Sequence, residues 1–393
     1  MKSLGLIAEY NPLHYGHVYQ LKKIREMSGA DCLIVFMSGN VVQRGEFAIL
    51  DKWQRAKLAV LYGADLVLEL PLLASLQAAD YFAHYAIQAL SAVGCQEFYF
   101  GTEGADLVQL SEWVNRQAQH GPAIDQALQA NLQAGLAYPA AYQQAVTKVL
   151  GQADFDPSLS NHMLGLAYLK ANADLSQPLS AHTIPRIYQD GSRLLSASQV
   201  RHAAMSGHLT HDQVPHNTYL ALEKEGGVGM EDYWDYLHYR LTLHSAFSLR
   251  QIHFVKEGVE HAILKANKEA RSWRDLVQRL TNKRWTKSAV QRLLMAVLCD
   301  IKASEWADYQ QAFMAQPSYR ILAYNQRGRQ AIRPISQAGT VKLITNWRKH
   351  HSLLYGLQAR CDLVYQLNPR GLIKEQNIQV FPLEINELAL TDS

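Results

Sequence analysis

The seven residues Asn11-Pro12-Leu13-His14-Tyr15-Gly16-His17 constrain this chain more than any other stretch, because they join two segments of different periodicity. Before them, residues 3–9 form a short apolar run that reads as a buried strand. After them, Val18, Leu21, Ile24 and Met27 recur at helical spacing as far as Gly29. The alternation continues. Residues 32–37 read as a second strand, ending at Ser38-Gly39-Asn40, and a loop holding Arg44-Gly45-Glu46 follows. Asp51 is placed to cap a helix that Gly63 ends, and residues 65–70 form a third strand closed by Pro71. Residues 81–93 read as helix and 95–100 as a fourth strand, ending at Gly101. This order predicts an α/β fold, a Rossmann-like parallel sheet with helices on both faces. Ligands of such sheets bind beyond the carboxyl ends of the strands. The loops after Glu9, Met37, Leu70 and Phe100 are therefore expected to share one crevice.

The turn itself suggests a chemistry. Gly16 lets the backbone pass close to a ligand. The amides of the following helix N-terminus favour an anion, and His14 and His17, three apart, can face the same side. Attack on the α-phosphate of ATP builds negative charge on phosphoryl oxygens. Two imidazole donors and several amides would stabilise that charge, with little covalent work asked of the protein. Mg²⁺ is expected to help neutralise the departing pyrophosphate; no side chains stand out as its ligands. H-x-G-H is a short motif, and its place between strand and helix is what gives it meaning. Further along, Ser196, Ser198 and Arg201 open another helical segment and suit a β- or γ-phosphate, although serine in that place also serves as a plain N-cap.

Past residue 106 the chain reads mostly as helix to about 172, with a strand at 180–188. Residues 210–308 are helical in pattern: Val290, Leu293, Leu294, Val297 and Ile301 make one apolar face behind Thr286 as N-cap. From Tyr319 the pattern is mixed, with strands expected at 320–324 and 363–367. The 393 residues suffice for two or three domains. The expected division is a nucleotidyltransferase-like ATP-binding catalytic domain at 1–209, a helical basic domain at 210–308 and a mixed α/β region at 309–393. The four cysteines are far apart and form no C-x-x-C pair, which suggests reduced thiols in a cytoplasmic protein. The apolar run at residues 4–8 is too short for a signal peptide, and no segment approaches the ~18 apolar residues of a membrane span.

Several motifs resemble the bacterial tRNA(Met) cytidine acetate ligases. They are Gly5-Leu-Ile-Ala-Glu-Tyr-Asn-Pro-Leu-His-Tyr-Gly-His17, Met37-Ser-Gly-Asn-Val-Val-Gln-Arg-Gly-Glu46, Asp51-Lys-Trp-Gln-Arg55, Gly63-Ala-Asp-Leu-Val-Leu-Glu-Leu-Pro71 and Phe100-Gly-Thr-Glu103. Later come Ser160-Asn-His-Met-Leu-Gly-Leu-Ala-Tyr-Leu-Lys170, Thr183-Ile-Pro-Arg-Ile187, Lys283-Arg-Trp-Thr-Lys287 and Val290-Gln-Arg-Leu-Leu294. The resemblance implies two steps. Acetate and ATP give acetyl-adenylate and pyrophosphate. The acetyl group then passes to N4 of the wobble cytidine of elongator tRNA(Met), giving N4-acetylcytidine and AMP. It implies that Ile7, Ala8, Glu9, Tyr10, Asn11, Pro12, Leu13, His14, Tyr15, Gly16, His17, Val18, Tyr19 and Gln20 bind ATP, with Gly101, Asn161 and Arg186 completing the pocket. His14 and His17 are the catalytic candidates. The chain departs from the family pattern at Leu13, Tyr15, Phe47 and Gln189, which leaves no third histidine after Arg186 in the usual place.

The net charge of +3 hides two basic stretches. Nine Lys or Arg lie between 265 and 292 against Glu269 and Asp275, and seven lie between 320 and 349 with no acid. Such clusters are the footprint expected of a phosphate backbone; Lys283, Arg284, Lys287 and Arg292 are the named candidates. Trp273, Trp285 and Trp347 lie among them and could stack on bases. Basic helix faces also serve solubility, and Trp is more often core. Two other readings stay open: a small-molecule adenylyltransferase of the same superfamily and a non-catalytic tRNA-binding protein.

Overall fold

The computed structural model describes residues 1–156, 159–186, 195–256, 258–346, 352–368 and 382–385. Its strands are β1 (Ser3–Ala8), β2 (Cys32–Ser38), β3 (Val41–Val42), β4 (Glu46–Phe47), β5 (Leu66–Leu70), β6 (Glu97–Thr102), β7 (Ser180–Pro185), β8 (Ser318–Tyr324), β9 (Lys342–Ile344) and β10 (Leu383–Glu384). Eight of these make one sheet, in the order β10-β8-β5-β2-β1-β6-β7 with β9 beside β8. β5, β2, β1, β6 and β7 run parallel, and β3 and β4 form a separate antiparallel hairpin.

The centre of this sheet follows from continuous apolar runs whose side chains alternate between two cores. Every residue of β2 is buried, as expected of a parallel strand covered on both faces. Cys32, Ile34 and Phe36 enter the core on one side, and Leu33, Val35 and Met37 the core on the other. Each such aliphatic or aromatic side chain contributes about 1.5–3 kcal/mol by burial. The first helix, Tyr15–Ser28, turns Val18, Leu21 and Ile24 inward and ends at Gly29 with φ 53°. Asp51 caps the helix Lys52–Leu61 by accepting from the Gln54 amide at 2.8 Å. β1 lies between β2 and β6. The connection from β1 runs toward β2 and that from β6 toward β7, so the loops after β1 and β6 sit at the switch point of the sheet.

The sheet also draws in the distant part of the chain. β8 lies antiparallel to β5, and β10 and β9 run parallel to β8. Asp65 fastens this corner: its carboxylate accepts from the Leu33 amide at 2.7 Å and from Asn325 Nδ2 at 2.8 Å, and it pairs with Arg25. Residues 363–367, expected as a strand, instead form the end of the helix Ser352–Tyr365 and the turn after it. The apolar residues there, read in isolation, fit either period. Asp362 of that helix is buried with Lys52, whose Nζ lies 2.5 Å from it and 2.8 Å from Glu69; Asn40 Nδ2 donates to Asp362 at 2.7 Å.

The expected strand at 180–188 is observed to Pro185. Gln189, Trp347, Arg348 and Lys349 lie outside the described residues. The four cysteines are buried and free. Thr286 caps the helix Lys287–Leu298. No helix of the described residues is long and apolar enough to cross a membrane.

Candidate active site

The loop after β1 places the two histidines at the mouth of the sheet. His14 is the N-cap of the helix Tyr15–Ser28, and its Nδ1 accepts from the Gly16 amide at 3.1 Å. His17 answers it from the third helical position, its Nδ1 accepting from the His14 amide at 3.3 Å. In each ring Nδ1 is an acceptor, so in the neutral imidazole the proton sits on Nε2. A Cβ at position 16 would lie 2.9 Å from the His14 ring, so glycine is required for the ring to cap here.

The surroundings keep both rings neutral. Burial, then the charge of Arg186, pushes the His14 pKa down to about 4. Burial, then His14 and then Arg186, holds His17 well below the ordinary imidazole range. Two neutral N–H donors thus stand at a helix N-terminus beside two guanidinium groups. Arg201, on the helix Ala197–Met205, donates from Nη1 to the Asn11 carbonyl at 2.7 Å. Asn11 Oδ1 in turn accepts from the Ile49 amide at 2.8 Å, which ties the histidine loop to the segment before Asp51.

On the other flank, Glu103 follows β6 and organises two of the expected pocket residues. Its Oε1 accepts from Arg186 Nη1 at 2.9 Å and from Asn161 Nδ2 at 3.0 Å. Its Oε2 is buried with no hydrogen-bond partner among the described residues. Gly101 lies one residue inside the end of β6, facing the Gln20 side chain. Glu9, at the end of β1, accepts from the Gln43 amide at 2.7 Å. Burial raises its carboxyl pKa; the Gln43 hydrogen bond and the charges of Arg55, Arg44 and Arg201 act against that rise. Arg55 is wholly buried and donates to the carbonyls of Leu50, Glu9, Ser38 and Gly39, fastening the ends of β1 and β2 together.

The fourteen consecutive candidates from Ile7 to Gln20 do not all face the crevice. Tyr10, Asn11, Pro12, Leu13 and Val18 are buried beneath it, while Ile7, Ala8, Glu9, His14, His17, Tyr19 and Gln20 are partly accessible; Tyr15 and Gly16 are exposed. Ser196 caps its helix, bonding within the capping box to Gln199, and Ser198 is exposed. Two departures from the family pattern are core positions: Leu13 is fully buried, and Phe47 packs on Tyr233 and Tyr365 with centroids 4.7 and 5.3 Å away. Glu103 was missed as a site residue. The one local signal is its place just past a strand end, and its partners are 58 and 83 positions away in sequence.

Of the basic candidates, Lys283, Arg284 and Lys287 are exposed. Arg292 is turned inward, its Nη1 3.4 Å from the Gln43 carbonyl, and burial lowers its pKa to about 10. Trp273 is 4% exposed and belongs to the core of the helical region, so it is not a stacking platform. Trp285 is half-buried at the surface. Among the described residues no group of three His, Cys, Asp or Glu side chains is arranged to hold a metal ion.

Comparison with known proteins adds the following. The family model for HIGH Nucleotidyl Transferase matches residues 1–379. The tRNA(Met) cytidine acetate ligase of Latilactobacillus sakei is 35% identical over 390 residues, covering 92% of this chain and 93% of its own. The protein of that name from Acetivibrio thermocellus is 34% identical over 366 residues, with 88% of each chain covered. Thermotoga maritima TmcAL bound with alpha-thio ATP has a similar structure, with a TM-score of 0.89 at 25% identity, covering 98% of this chain and 100% of that one.

Proposed function

Because the chain belongs to the HIGH nucleotidyl transferase family and, within it, to the tRNA(Met) cytidine acetate ligases, we propose that it joins acetate to the wobble cytidine of elongator tRNA(Met) at the expense of ATP. In the first step an acetate oxygen attacks the α-phosphorus of ATP. The bond to the β-phosphate oxygen breaks and pyrophosphate leaves with the electron pair. In the second step the cytidine N4 amine attacks the acetyl carbonyl carbon, the bond to the AMP oxygen breaks, and N4 gives up a proton. The product is N4-acetylcytidine.

The observation that carries this reading is the pair of neutral imidazoles held with Nε2–H outward at a helix N-terminus. Donors fixed before the reaction stabilise charge that grows on the phosphoryl oxygens without reorganising. His14 and His17 are assigned that role, with the amides of the first helical turn beside them. Arg186, oriented by Glu103, and Arg201, oriented by the Asn11 carbonyl, are assigned to the phosphates. Asn161 and Gly101 line the nucleotide pocket, and the exposed Ser198 and the cap of Ser196 flank Arg201. The remainder of the stretch from Ile7 to Gln20 supports this pocket from below.

Mg²⁺ is bound in such enzymes mainly through substrate phosphates, with one or two carboxylates and retained waters. The Oε2 of Glu103, buried without a hydrogen-bond partner among the described residues, fits a cation that arrives with ATP. Bound there, it would neutralise charge on the departing pyrophosphate. The RNA is assigned to residues 210–308, through Lys283, Arg284 and Lys287. Arg292 is assigned to the seam between that region and the crevice. A reaction that consumes ATP and modifies tRNA belongs to the cytoplasm.

The test is nucleoside mass spectrometry on elongator methionine tRNA incubated with the protein, ATP, Mg²⁺ and labelled acetate. Label in acetylcytidine that requires ATP is the expected result. Absence of label, with pyrophosphate exchange that ignores acetate, would favour the small-molecule adenylyltransferase instead.

A further inference from the structure

A cleft of ≈ 530 Å³ lies between the helices Val259–Glu269 and Trp273–Leu280 and the turn that follows them. None of the residues lining it belongs to the histidine crevice. Its volume is within the range of small-ligand sites, roughly 300–1,000 Å³. Three features give it a chemical preference.

The first is charge. Lys265, Arg279 and Arg284 line the cleft against a single acid, Glu269. Arg279 Nη1 takes the Glu269 carboxylate at 2.7 Å, and its Nε takes Asp275 at 2.8 Å. Neither Lys265 nor Arg284 pairs with a carboxylate among the described residues, so two uncompensated cations face the space. The second is shape. Trp285 and Leu280 provide apolar wall beside those cations, an indole being able to stack on any base. The third is rigidity. Asn282 Oδ1 accepts from the amides of Arg284 at 2.8 Å and Trp285 at 3.0 Å, while the Lys283 carbonyl accepts from the Ala137 amide at 3.0 Å. The turn is thus held before any ligand arrives.

We propose that this cleft binds one unstacked nucleotide of a single-stranded stretch of the RNA acceptor, its base against Trp285 and the adjoining phosphates at Lys265 and Arg284. The proposal rests on the reading that the acceptor is RNA, and it adds a second site that positions the strand away from the reacting base. The helix Lys287–Leu298 starts two residues beyond Trp285. Lys287 at its start and Arg292, which meets Gln43, are about 7.5 Å apart along its axis. Gln43 in turn donates to Glu9 at the crevice. A strand seated in the cleft therefore runs beside the helix that abuts the catalytic loops.

The test uses the full chain and unmodified elongator methionine tRNA, with affinity measured by filter binding across a salt titration and with acetate-dependent pyrophosphate exchange measured in parallel. For K265Q/R284Q we expect tRNA affinity about 10-fold weaker, and a log–log salt slope shallower by roughly 1.4 for two lost single-strand phosphate contacts. W285L is expected to weaken binding by about 10-fold, within the range of one lost stacking contact, and W285F, which keeps a stacking face, to remain close to wild type. W285L and W285F should exchange pyrophosphate at the wild-type rate. Unchanged affinity and slope in K265Q/R284Q would overturn the cleft assignment. So would equal loss in W285F and W285L, or competition by poly-glutamate as effective as by RNA, which would mark an acidic peptide site. Intact tRNA binding with no acetate-dependent exchange in the wild-type protein would overturn the ligase reading and leave the cleft standing.

Discussion

The His14 ring lies on that of His17, centroids 3.8 Å apart and planes within 20° of parallel. Each ring uses Nδ1 to cap the backbone, and stacking two imidazolium ions at this distance in a buried site would be strongly unfavourable. The arrangement therefore works as a pair of neutral donors. Replacing His17 with Ala removes one donor and leaves the His14 amide without its acceptor. Acetate-dependent pyrophosphate exchange should fall by about 10²–10³-fold, the usual cost of one preorganised donor, while tRNA affinity measured by filter binding stays near wild type. Normal exchange in the variant would remove His17 from the chemistry.

The same burial has a pH consequence. In the unfolded chain His14 titrates near 6.5, and in the folded chain at about 4. Between these values the unfolded state binds a proton that the folded state refuses, so stability falls as pH drops through the window from about 6.5 to 4. His14→Asn keeps an N-cap acceptor and has no titration there. Urea midpoints at pH 7.5 and pH 5 should show a smaller acid loss in this variant than in the wild type; an equal loss would place the titration elsewhere.

Asp362 runs the other way. Burial, countered by Lys52, raises its carboxyl to about 6, so its stabilising contribution is present below about 4 and is lost as pH rises through 6. Asp362→Asn should flatten that part of the stability profile, between about pH 4 and pH 6. Lys52→Met, which strands Glu69 and Asp362 together, should cost about 3–5 kcal/mol in chemical denaturation.

Glu103→Ala should act on the nucleotide rather than on the fold. It releases Arg186 and Asn161 from their shared carboxylate, and the KM for ATP in pyrophosphate exchange is expected to rise about 10-fold. The melting temperature should move little, because the variant frees the 40% exposed Arg186 side chain to water and removes a carboxylate oxygen that is buried without a hydrogen-bond partner among the described residues. A lowered melting temperature with unchanged KM would make Glu103 a purely structural residue.

Gly45 offers a test of the seam. Its φ is 76°, and a Cβ there would stand 2.3 Å from the Arg292 backbone nitrogen. Gly45→Ala should destabilise the chain by at least about 1–3 kcal/mol through strain and displaced backbone. Thermal unfolding within a degree of wild type would mean that the hairpin of β3 and β4 can shift away from the helix Lys287–Leu298.

Local patterns made the first hundred residues readable. The continuous apolar run of β2, the cap at Asp51 and the stop at Gly29 are each set by neighbours close in sequence. What stayed hidden depended on distance. Nothing near residues 318–324 marks them as a partner for β5, some 250 positions earlier, and an apolar run at 363–367 fits strand or helix until its packing is known. Trp273 and Trp285 sit in equally basic surroundings, yet one is core and the other half-exposed, because only the packing of the helices decides which faces inward. The convergence of Glu103, Asn161 and Arg186 is of the same kind: two strand ends and the start of the helix Ser160–Ala173, each ordinary by itself, meet at one end of the sheet.

The seating of β8 beside β5 has a consequence for synthesis. A chain that has left the ribosome as far as Asp308 already carries both histidines and the basic cleft, but its β5 still shows a bare row of amides and carbonyls, the kind of edge on which partly made chains join one another. Closing that edge waits on a contact between residues far apart in sequence, which slows folding. The unfinished chain is thus exposed longest along the strand that carries the buried Glu69.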